Sequence, residues 1–534
     1  MAGEKIKILL TDPLAREGMD ILKKHGFRVD TAFGLDEKAL VSRIQGYDAL
    51  IVRSGTTVTA DIINASDRLK VIGRAGVGLD NVDVETASSK GIIVMNAPSG
   101  NTISTAEHAF SLLLALTRNI PRAYNSLRAG RWERKKFMGV ELYGKTLGVI
   151  GMGRIGTEFA RRAQSFEMRV VTFDPFISRE KARSLKVEPV DMDTLLETSD
   201  FITIHTPLIP ETRHLLDEKA FKKMKKGVRI VNAARGGIID ESALQKHISS
   251  GKVAGAALDV FESSRKPPAD CALLASEKVI ATPHLGSSTA EAQLNVAIDI
   301  AGTVSDALLG SGYRNAANIP ALEEEALKAA APYVNLAERL GCIQVQLIDE
   351  PIKTIKVEYI GDIAETDTRV VTRALMKGVF DPILEENVNY VNSVLIARER
   401  GIRIVEKRTS GITDFANLIS VEFETTLRKY SILGTLFSNK EPRIIKMDRF
   451  HVEAVPDGYM LVVENNDVPG IVGKIGTALG KKGINIAEMS FGRDTGTGNA
   501  ISLLNVDSEV PAGVIAGLKR VEDINGVKKV KVPS

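Results

Sequence analysis

Thr146-Leu147-Gly148-Val149-Ile150 runs directly into Gly151-Met152-Gly153-Arg154-Ile155-Gly156, with a helical pattern behind it. A bare G-x-G-x-x-G recurs by chance. With a strand before it, a helix after it and an acid about twenty residues further on, it reads as a dinucleotide-binding turn. Gly151 permits the tight turn, Gly153 lets the backbone approach a pyrophosphate, and Gly156 lets the helix pack closely. The helix N-terminus adds N–H donors and a positive dipole end. The acid is Asp174, at the end of Val170-Val171-Thr172-Phe173. Its carboxylate accepts from a ribose 2′-hydroxyl and repels a 2′-phosphate, which favours NAD over NADP.

In doubly wound sheets ligands sit at the carboxyl ends of strands, so the residues following each strand are the site candidates. They include Thr206-Pro207, Asn232-Ala233-Ala234-Arg235-Gly236-Gly237, Asp259-Val260-Phe261 and Thr282-Pro283-His284-Leu285-Gly286. Arg235 lies among small residues, and its planar fork suits a carboxylate with an adjacent oxygen. His284 is one of seven histidines. Its titration range suits a group that takes a hydroxyl proton in one direction and returns it in the other. His25, His247 and His451 read as structural, and His108 as a packed core residue. Arg53-Ser54, Arg74 within Gly73–Gly78, and Asn101 offer anion sites nearer the N-terminus, where Gly76 and its neighbours expose backbone N–H groups. Trp132-Glu133-Arg134-Lys135-Lys136-Phe137 reads as a solvated basic patch unless a phosphate must be bound.

These residues need two α/β lobes to position them. Ile6–Leu10, Ala49–Val52, Val71–Gly73 and Ile92–Met95 read as buried parallel strands. The second series is Thr146–Ile150, Arg169–Phe173, Phe201–His205, Val228–Val231, Gly255–Leu258 and Val279–Ala281. Alternation with helices predicts two doubly wound, Rossmann-like lobes with a cleft between them. A helix through Ser104 to Arg118, with Ser104 and Glu107 as a capping box, crosses between the lobes, and a second at Ala290–Leu309 returns. The expected division is a substrate lobe of 1–97 plus 285–316 and a nucleotide-binding domain of 98–284. A mixed α+β domain follows at 317–453, with helices Glu323–Leu340 and Thr368–Val379 and strands Thr354–Ile360 and Leu418–Thr425. Residues 459–534 read β-α-β-β-α-β, a ferredoxin-like pattern.

The chain has 534 residues, 44% apolar and 26% charged, which excludes disordered and fibrous classes. A net charge of +3 does not suggest nucleic acid or an anionic membrane as a partner. Two cysteines, Cys271 and Cys342, build neither a disulfide framework nor a zinc site, so no metal is expected. Lys5 and Lys7 interrupt any signal-like run, and no stretch approaches a membrane span. The expectation is a reduced, soluble, cytoplasmic protein.

Taken together, Val52-Arg53-Ser54, Gly73–Gly78 with Leu79-Asp80-Asn81, Asn101–His108, Gly151–Gly156, Asn232–Gly237, Leu258–Phe261 and Pro283–Gly286 resemble the D-isomer-specific 2-hydroxyacid dehydrogenases. Residues 317–453 take the place of the intervening domain of the long form. Asn465–Gly470 and Gly483–Ala487 resemble an ACT regulatory domain. The resemblance implies NAD-dependent oxidation of 3-phospho-D-glycerate to 3-phosphohydroxypyruvate, in a lobe-closing homo-oligomer, a tetramer in many relatives. It implies Arg53, Ser54, Arg74, Gly76 and Asn101 as substrate ligands, with Arg235 as carboxylate clamp and His284 as proton carrier. Val77, Gly151, Gly153, Arg154, Ile155, Gly156, Asp174, Thr206, Ala233, Ala234, Arg235, Asp259, His284 and Gly286 would line the cofactor. Serine would bind between ACT domains through Asn465, Asp467 and Asn485.

One departure stands out. The family reads Asp-Val-Phe-x-x-Glu-Pro, and its glutamate pairs with the histidine; here Ser264 occupies that position. Either the loop repacks to present Glu262, or His284 works without an ionic partner and titrates lower than in relatives. Two alternatives remain beside phosphoglycerate oxidation: action on another D-2-hydroxy acid such as 2-hydroxyglutarate, and a catalytically weakened NAD-binding regulator.

Overall fold

The structure, a computed structural model, describes residues 5–263, 267, 271–319, 324–384, 388–410, 415–494 and 496–532, without the side chains of 324–329. Ser264 lies outside the described residues. The N-terminal lobe contains β1 (Lys7–Leu10), β2 (Arg28–Thr31), β3 (Ala49–Val52), β4 (Val71–Arg74) and β5 (Ile93–Asn96). They form a parallel sheet in the order β2-β1-β3-β4-β5. Ile8, Leu9, Leu10, Leu50, Val52 and Ile72 are all fully buried, as expected where helices cover both faces. Edge strand β2 has no apolar run, since Arg28 and Thr31 face solvent; that is why the sequence pattern missed it.

The second lobe contains β6 (Thr146–Ile150), β7 (Arg169–Phe173), β8 (Glu188–Pro189), β9 (Phe201–Ile204), β10 (Val228–Asn232), β11 (Val253–Leu258) and β12 (Val279–Ala281). The order is β12-β11-β10-β9-β6-β7-β8, parallel throughout. The direction of winding reverses between β6 and β9, which opens a crevice at their carboxyl ends. The crossing helix is Thr102–Thr117 and the returning helix Ala290–Leu308. The expected capping box is not formed. Asn101 is the N-cap, Ser104 lies within the helix, and Glu107 accepts from Arg162 Nη2 at 3.0 Å.

The third domain is a sheet of β13 (Ile352–Gly361), β14 (Arg403–Thr409), β15 (Asn417–Thr425), β16 (Lys429–Phe437), β17 (Glu441–Met447) and β18 (Phe450–Ala454). It runs β14-β13-β15-β16-β17-β18, with only β13 and β14 parallel. Helices Glu324–Leu347 and Arg369–Phe380 pack together beside it. The last domain carries β19 (Tyr459–Asn466), β20 (Ile486–Asp494), β21 (Asn499–Val506) and β22 (Ile524–Lys531), ordered β20-β21-β19-β22, with helices Ile471–Gly480 and Ala512–Leu518. These six elements follow the expected β-α-β-β-α-β order. Its Met460, Val462, Ile501, Leu503 and Val530 share one core with Ile432, Ile444 and Val452 of the preceding domain. That joint body is tied to the N-terminal lobe, where Asn389 Nδ2 donates to Gly91 O at 2.6 Å and Val391 enters the lobe's core. Among the described residues no helix is long and apolar enough to cross a membrane.

Candidate active site

Gly151 ends β6 at φ +92°, with the His205 carbonyl 2.7 Å from where a Cβ would stand, so only glycine makes this turn. Gly153 caps helix Arg154–Ser165, and a Cβ there would meet no protein atom within 4 Å. That open space above a helix N-terminus is what a pyrophosphate requires. Asp174 is fixed by two backbone donors, Met152 N at 2.7 Å on Oδ2 and Phe176 N at 2.8 Å on Oδ1. Each oxygen keeps a lone pair for a ribose hydroxyl. Thr206 Oγ1 is buried at the end of β9 without a hydrogen-bond partner. The open space at Gly153, the anchored Asp174 and the orphaned Thr206 hydroxyl fit a dinucleotide. His205, just before it, is pushed down to about 3 by burial and stays neutral.

Arg235 follows β10 on a loop shaped by Asn232, whose side chain donates to Arg235 O at 2.9 Å and accepts from Ala234 N at 3.0 Å. The guanidinium crosses the cleft: Nε donates to Asp80 Oδ2 at 3.1 Å and Nη1 to Ala234 O at 2.7 Å. Asp80 belongs to the other lobe and is largely exposed, so this partner is exchangeable.

His284 follows β12 at φ +56°, a left-handed backbone uncommon among residues other than glycine. Its loop is held by Asp259 at the end of β11. Its Oδ1 accepts from Thr282 Oγ1 at 2.6 Å and Leu285 N at 2.8 Å, its Oδ2 from Gly286 N at 2.9 Å, and its carbonyl from His284 N at 3.0 Å. Burial pushes the Asp259 carboxyl up, but hydrogen bonds from His108, Thr282, Leu285 and Gly286 hold it below the usual carboxylate range. The expected cofactor-lining Asp259 therefore has its carboxylate turned onto the His284 loop. His284 itself keeps solvent-facing surface in the open cleft. Desolvation by the surrounding protein nevertheless lowers its pKa, Asp259 and Asp80 raise it, and Arg235 and Arg74 lower it further. The two expected catalytic groups thus stand within each other's field.

Across the cleft Arg74 ends β4, mostly buried, with Nε lacking any partner. Its pKa is pushed down to about 10 by burial and then by Arg235, with Arg53 adding to the effect and Asp80 and Asp12 opposing it. Gly76 and Gly78 make room for these guanidiniums: a Cβ at Gly76 would lie 1.5 Å from Arg74 Nη1, and one at Gly78 2.1 Å from Arg235 Nη2. The loop of Arg53 and Ser54 is held by Asp12, which accepts from Arg53 N at 2.7 Å and Thr56 N at 3.1 Å, and by Asn81, which donates to Arg53 O at 2.7 Å. Asn101 caps the crossing helix without using its side chain, whose Oδ1 is buried and unpartnered. Val77 O is fixed by Asn96 Nδ2 at 2.6 Å, and Arg154 Nη1 donates to Pro98 O at 3.2 Å. The guanidiniums of Arg235 and Arg53 thus both bear on Arg74.

Sequence reasoning passed over Asp12 and read His108 as a packed core residue. Asp12 follows β1 at its carboxyl end, the position where doubly wound sheets place their ligands. His108 shares a helix face with Ser104, at i and i+4. It is not simply packed core: its Nε2 lies 3.2 Å from Asp259 Oδ1.

Glu262 does not reach His284. Its Oε1 accepts from Arg213 Nη2 at 2.9 Å and lies 2.9 Å from His214 Nε2, so repacking of the loop to present Glu262 is not seen. The expected effector residues do not meet within one chain either. Asn465 is buried, with Nδ2 donating to Asn466 O at 2.7 Å, and Asp467 is paired with Arg493 at 2.7 Å. Asn485 instead bonds Asp507 at 2.7 Å before β20. Register places β20's start beside Val506 and Tyr459, and Asn465 beside Ala500. The two groups are about 20 Å apart at ~3.3 Å per strand residue.

Residues 110–286 match the family model for the NAD binding domain of D-isomer specific 2-hydroxyacid dehydrogenases. Residues 329–448 match the D-3-phosphoglycerate dehydrogenase intervening domain, and 459–523 the ACT domain. The D-3-phosphoglycerate dehydrogenase of Archaeoglobus fulgidus is 44% identical over 97% of this chain and 98% of its own. That of Bacillus subtilis is 40% identical over 99% of this chain and 100% of its own. A glyoxylate reductase structure from Paecilomyes thermophila aligns over 59% of this chain and 98% of its own at TM-score 0.54 and 30% identity. The D-lactate dehydrogenase from Aquifex aeolicus, complexed with NAD and lactic acid, aligns over 57% and 96% at TM-score 0.51 and 26% identity. The chain belongs to the D-isomer specific 2-hydroxyacid dehydrogenase family, in the long form that carries intervening and ACT domains.

Proposed function

We propose that the protein oxidises 3-phospho-D-glycerate to 3-phosphohydroxypyruvate with NAD. The convergence of Arg53, Arg74 and Arg235 carries this reading. Arg74, pushed down first by burial and then by Arg235 and Arg53, stands with two other guanidiniums, more positive charge than one carboxylate needs. A substrate with a carboxylate at one end and a phosphate at the other satisfies it. The names of the relatives matched along nearly the whole chain support the same substrate.

Arg235 exchanges Asp80 for the substrate carboxylate and C2 oxygen. Arg53, Ser54, Arg74, the Gly76 backbone and Asn101 hold the phosphate end and the hydroxyl. Neutral His284 takes the C2-hydroxyl proton during oxidation, and the protonated ring returns it in reduction. Bound NAD supplies the hydride acceptor; Gly151–Gly156, Val77, Asp174, Thr206, Ala233 and Ala234 would hold it. The domain division proposed is 1–97 with 285–316, 98–284, 317–453 and 459–534.

Exposed Ile120, Tyr124, Leu127, Trp132, Met138 and Tyr143 supply apolar surface for a subunit contact; the proposed assembly is a homotetramer. A serine site would take Asn465 and Asp467 from one ACT domain and Asn485 from another, since one chain does not unite them. The proposed oxidation is the first step of phosphorylated L-serine biosynthesis, with which a cytoplasmic location accords. The test is NADH formation across a panel of 3-phosphoglycerate, D-glycerate, D-lactate and D-2-hydroxyglutarate, with and without serine. Strong turnover of the first alone supports the reading. Turnover only of the others, or NAD binding without turnover, overturns it.

A further inference from the structure

We infer that His108, on the helix joining the two lobes, is a positioning residue for the reaction: it holds the Asp259 carboxylate that sets the His284 loop. The inference rests on the reading of His284 as proton carrier. One face of the crossing helix meets the His284 loop at three successive points. Ser104 Oγ lies 2.7 Å from Thr289 Oγ1. Thr105 closes over Gly286, where an added Cβ would stand 3.3 Å from Thr105 Cγ2. His108 Nε2 lies 3.2 Å from Asp259 Oδ1 and 3.2 Å from Thr282 Oγ1. Because the Thr282 hydroxyl already donates to the same Oδ1 at 2.6 Å, the role left for His108 is that of a second donor.

The donor matters because of what Asp259 carries. Its side chain is fully buried, so every missing hydrogen bond leaves charge unmatched in a low-dielectric site. It also holds the Thr282 hydroxyl and the Leu285 and Gly286 N–H groups that flank His284 in its left-handed backbone. In this chain serine stands at the usual glutamate position and Glu262 is bound to Arg213 and His214, so among the described residues the support of the His284 loop falls on Asp259 and its donors. His108 is only partly buried, with 20% of its side chain exposed, and its ring nitrogen is directed at a carboxylate rather than packed among apolar groups. Its anchor sits on the element that links the lobes, so the His284 loop is referenced to the crossing helix as well as to its own sheet.

The test compares full-length His108→Leu, which removes the donor but keeps bulk, with His108→Gln, whose amide nitrogen reaches the same place. His108→Leu should lower kcat about tenfold, part of the ~10²–10⁴ supplied by acid–base catalysis, with both KM values within about twofold of native. His108→Gln should recover kcat to within about threefold. If His108→Leu does not fold, His108→Asn, too short to reach Asp259, replaces it against Gln with the same expectation. Native-like kcat in the Leu or Asn variant overturns the inference, as does Gln no better than Leu or equal losses in kcat and affinity. His284→Asn, measured in parallel, separates the two readings: an inactive His284→Asn beside a native-like His108→Leu refutes His108 alone, whereas an active His284→Asn refutes the site reading beneath it.

Discussion

The loops of Arg235 and His284 face the same crevice but are held in opposite ways. Arg235 has a surface partner from the other lobe, Asp80, and a carbonyl from its own loop. His284 rests on a buried carboxylate with donors from Thr282, Leu285, Gly286 and His108. A clamp must release what it holds when substrate arrives, and an exposed ion pair worth ~0–1 kcal/mol is easily exchanged. A proton carrier must already be in place, and a buried, fully satisfied network fixes it before binding. The weak contact and the strong one therefore serve two different steps.

Removing the clamp gives the largest effect. Arg235→Gln should lower kcat/KM by about 10³-fold, as expected for two charge-assisted hydrogen bonds of ~1.5–3 kcal/mol each. Steady-state kinetics with 3-phosphoglycerate would check it; a loss under tenfold would show that Arg235 does not grip the substrate. Asp259→Asn keeps the shape but deletes the charge. It should cost about 10²-fold in kcat, lower the melting temperature, and drop the His284 pKa further, because Asp259 raises it. Parallel pH–rate profiles and thermal unfolding would read both. Asp80→Asn tests the exchangeable partner and should be mild: kcat within about threefold, substrate KM moved by less than about tenfold. A collapse as deep as that of Arg235→Gln would mean that Asp80 does more than hold the place.

The smallest effect concerns pH. His284 sits below the ordinary histidine range, chiefly through desolvation. Ketone reduction needs the protonated ring, so it should fade at lower pH than for an unperturbed imidazole, while hydroxyl oxidation, which needs the neutral ring, should persist to lower pH. Ser264→Glu restores the family pattern and should move both limbs upward; superimposable profiles would contradict a role for that position.

Much of this was legible in the sequence. The β-branched runs of β1, β3, β4 and β6, and the Gly151–Gly156 turn with Asp174, declared themselves because local chemistry alone demands those residues. The ACT pattern was readable for the same reason. Edge strands β2 and β8 escaped because a strand with exposed faces leaves no apolar run. The Ser104–Glu107 capping signal misled because Ser104 is engaged by Thr289, nearly two hundred positions away in sequence. Residues whose role depends on a distant partner, such as His108 beside Asp259, carry no local signature. The electrostatic pressure of Arg235 on Arg74 is equally invisible until the lobes face each other.

The most direct measurement is a structure of the full chain with NAD and 3-phosphoglycerate bound. Arg235 should have left Asp80, with its fork about 3 Å from both the substrate carboxylate and the C2 oxygen, and a ring nitrogen of His284 at the same range from that oxygen. Substrate bound with Arg235 still on Asp80, or with His284 beyond hydrogen-bond reach of C2, would contradict the account.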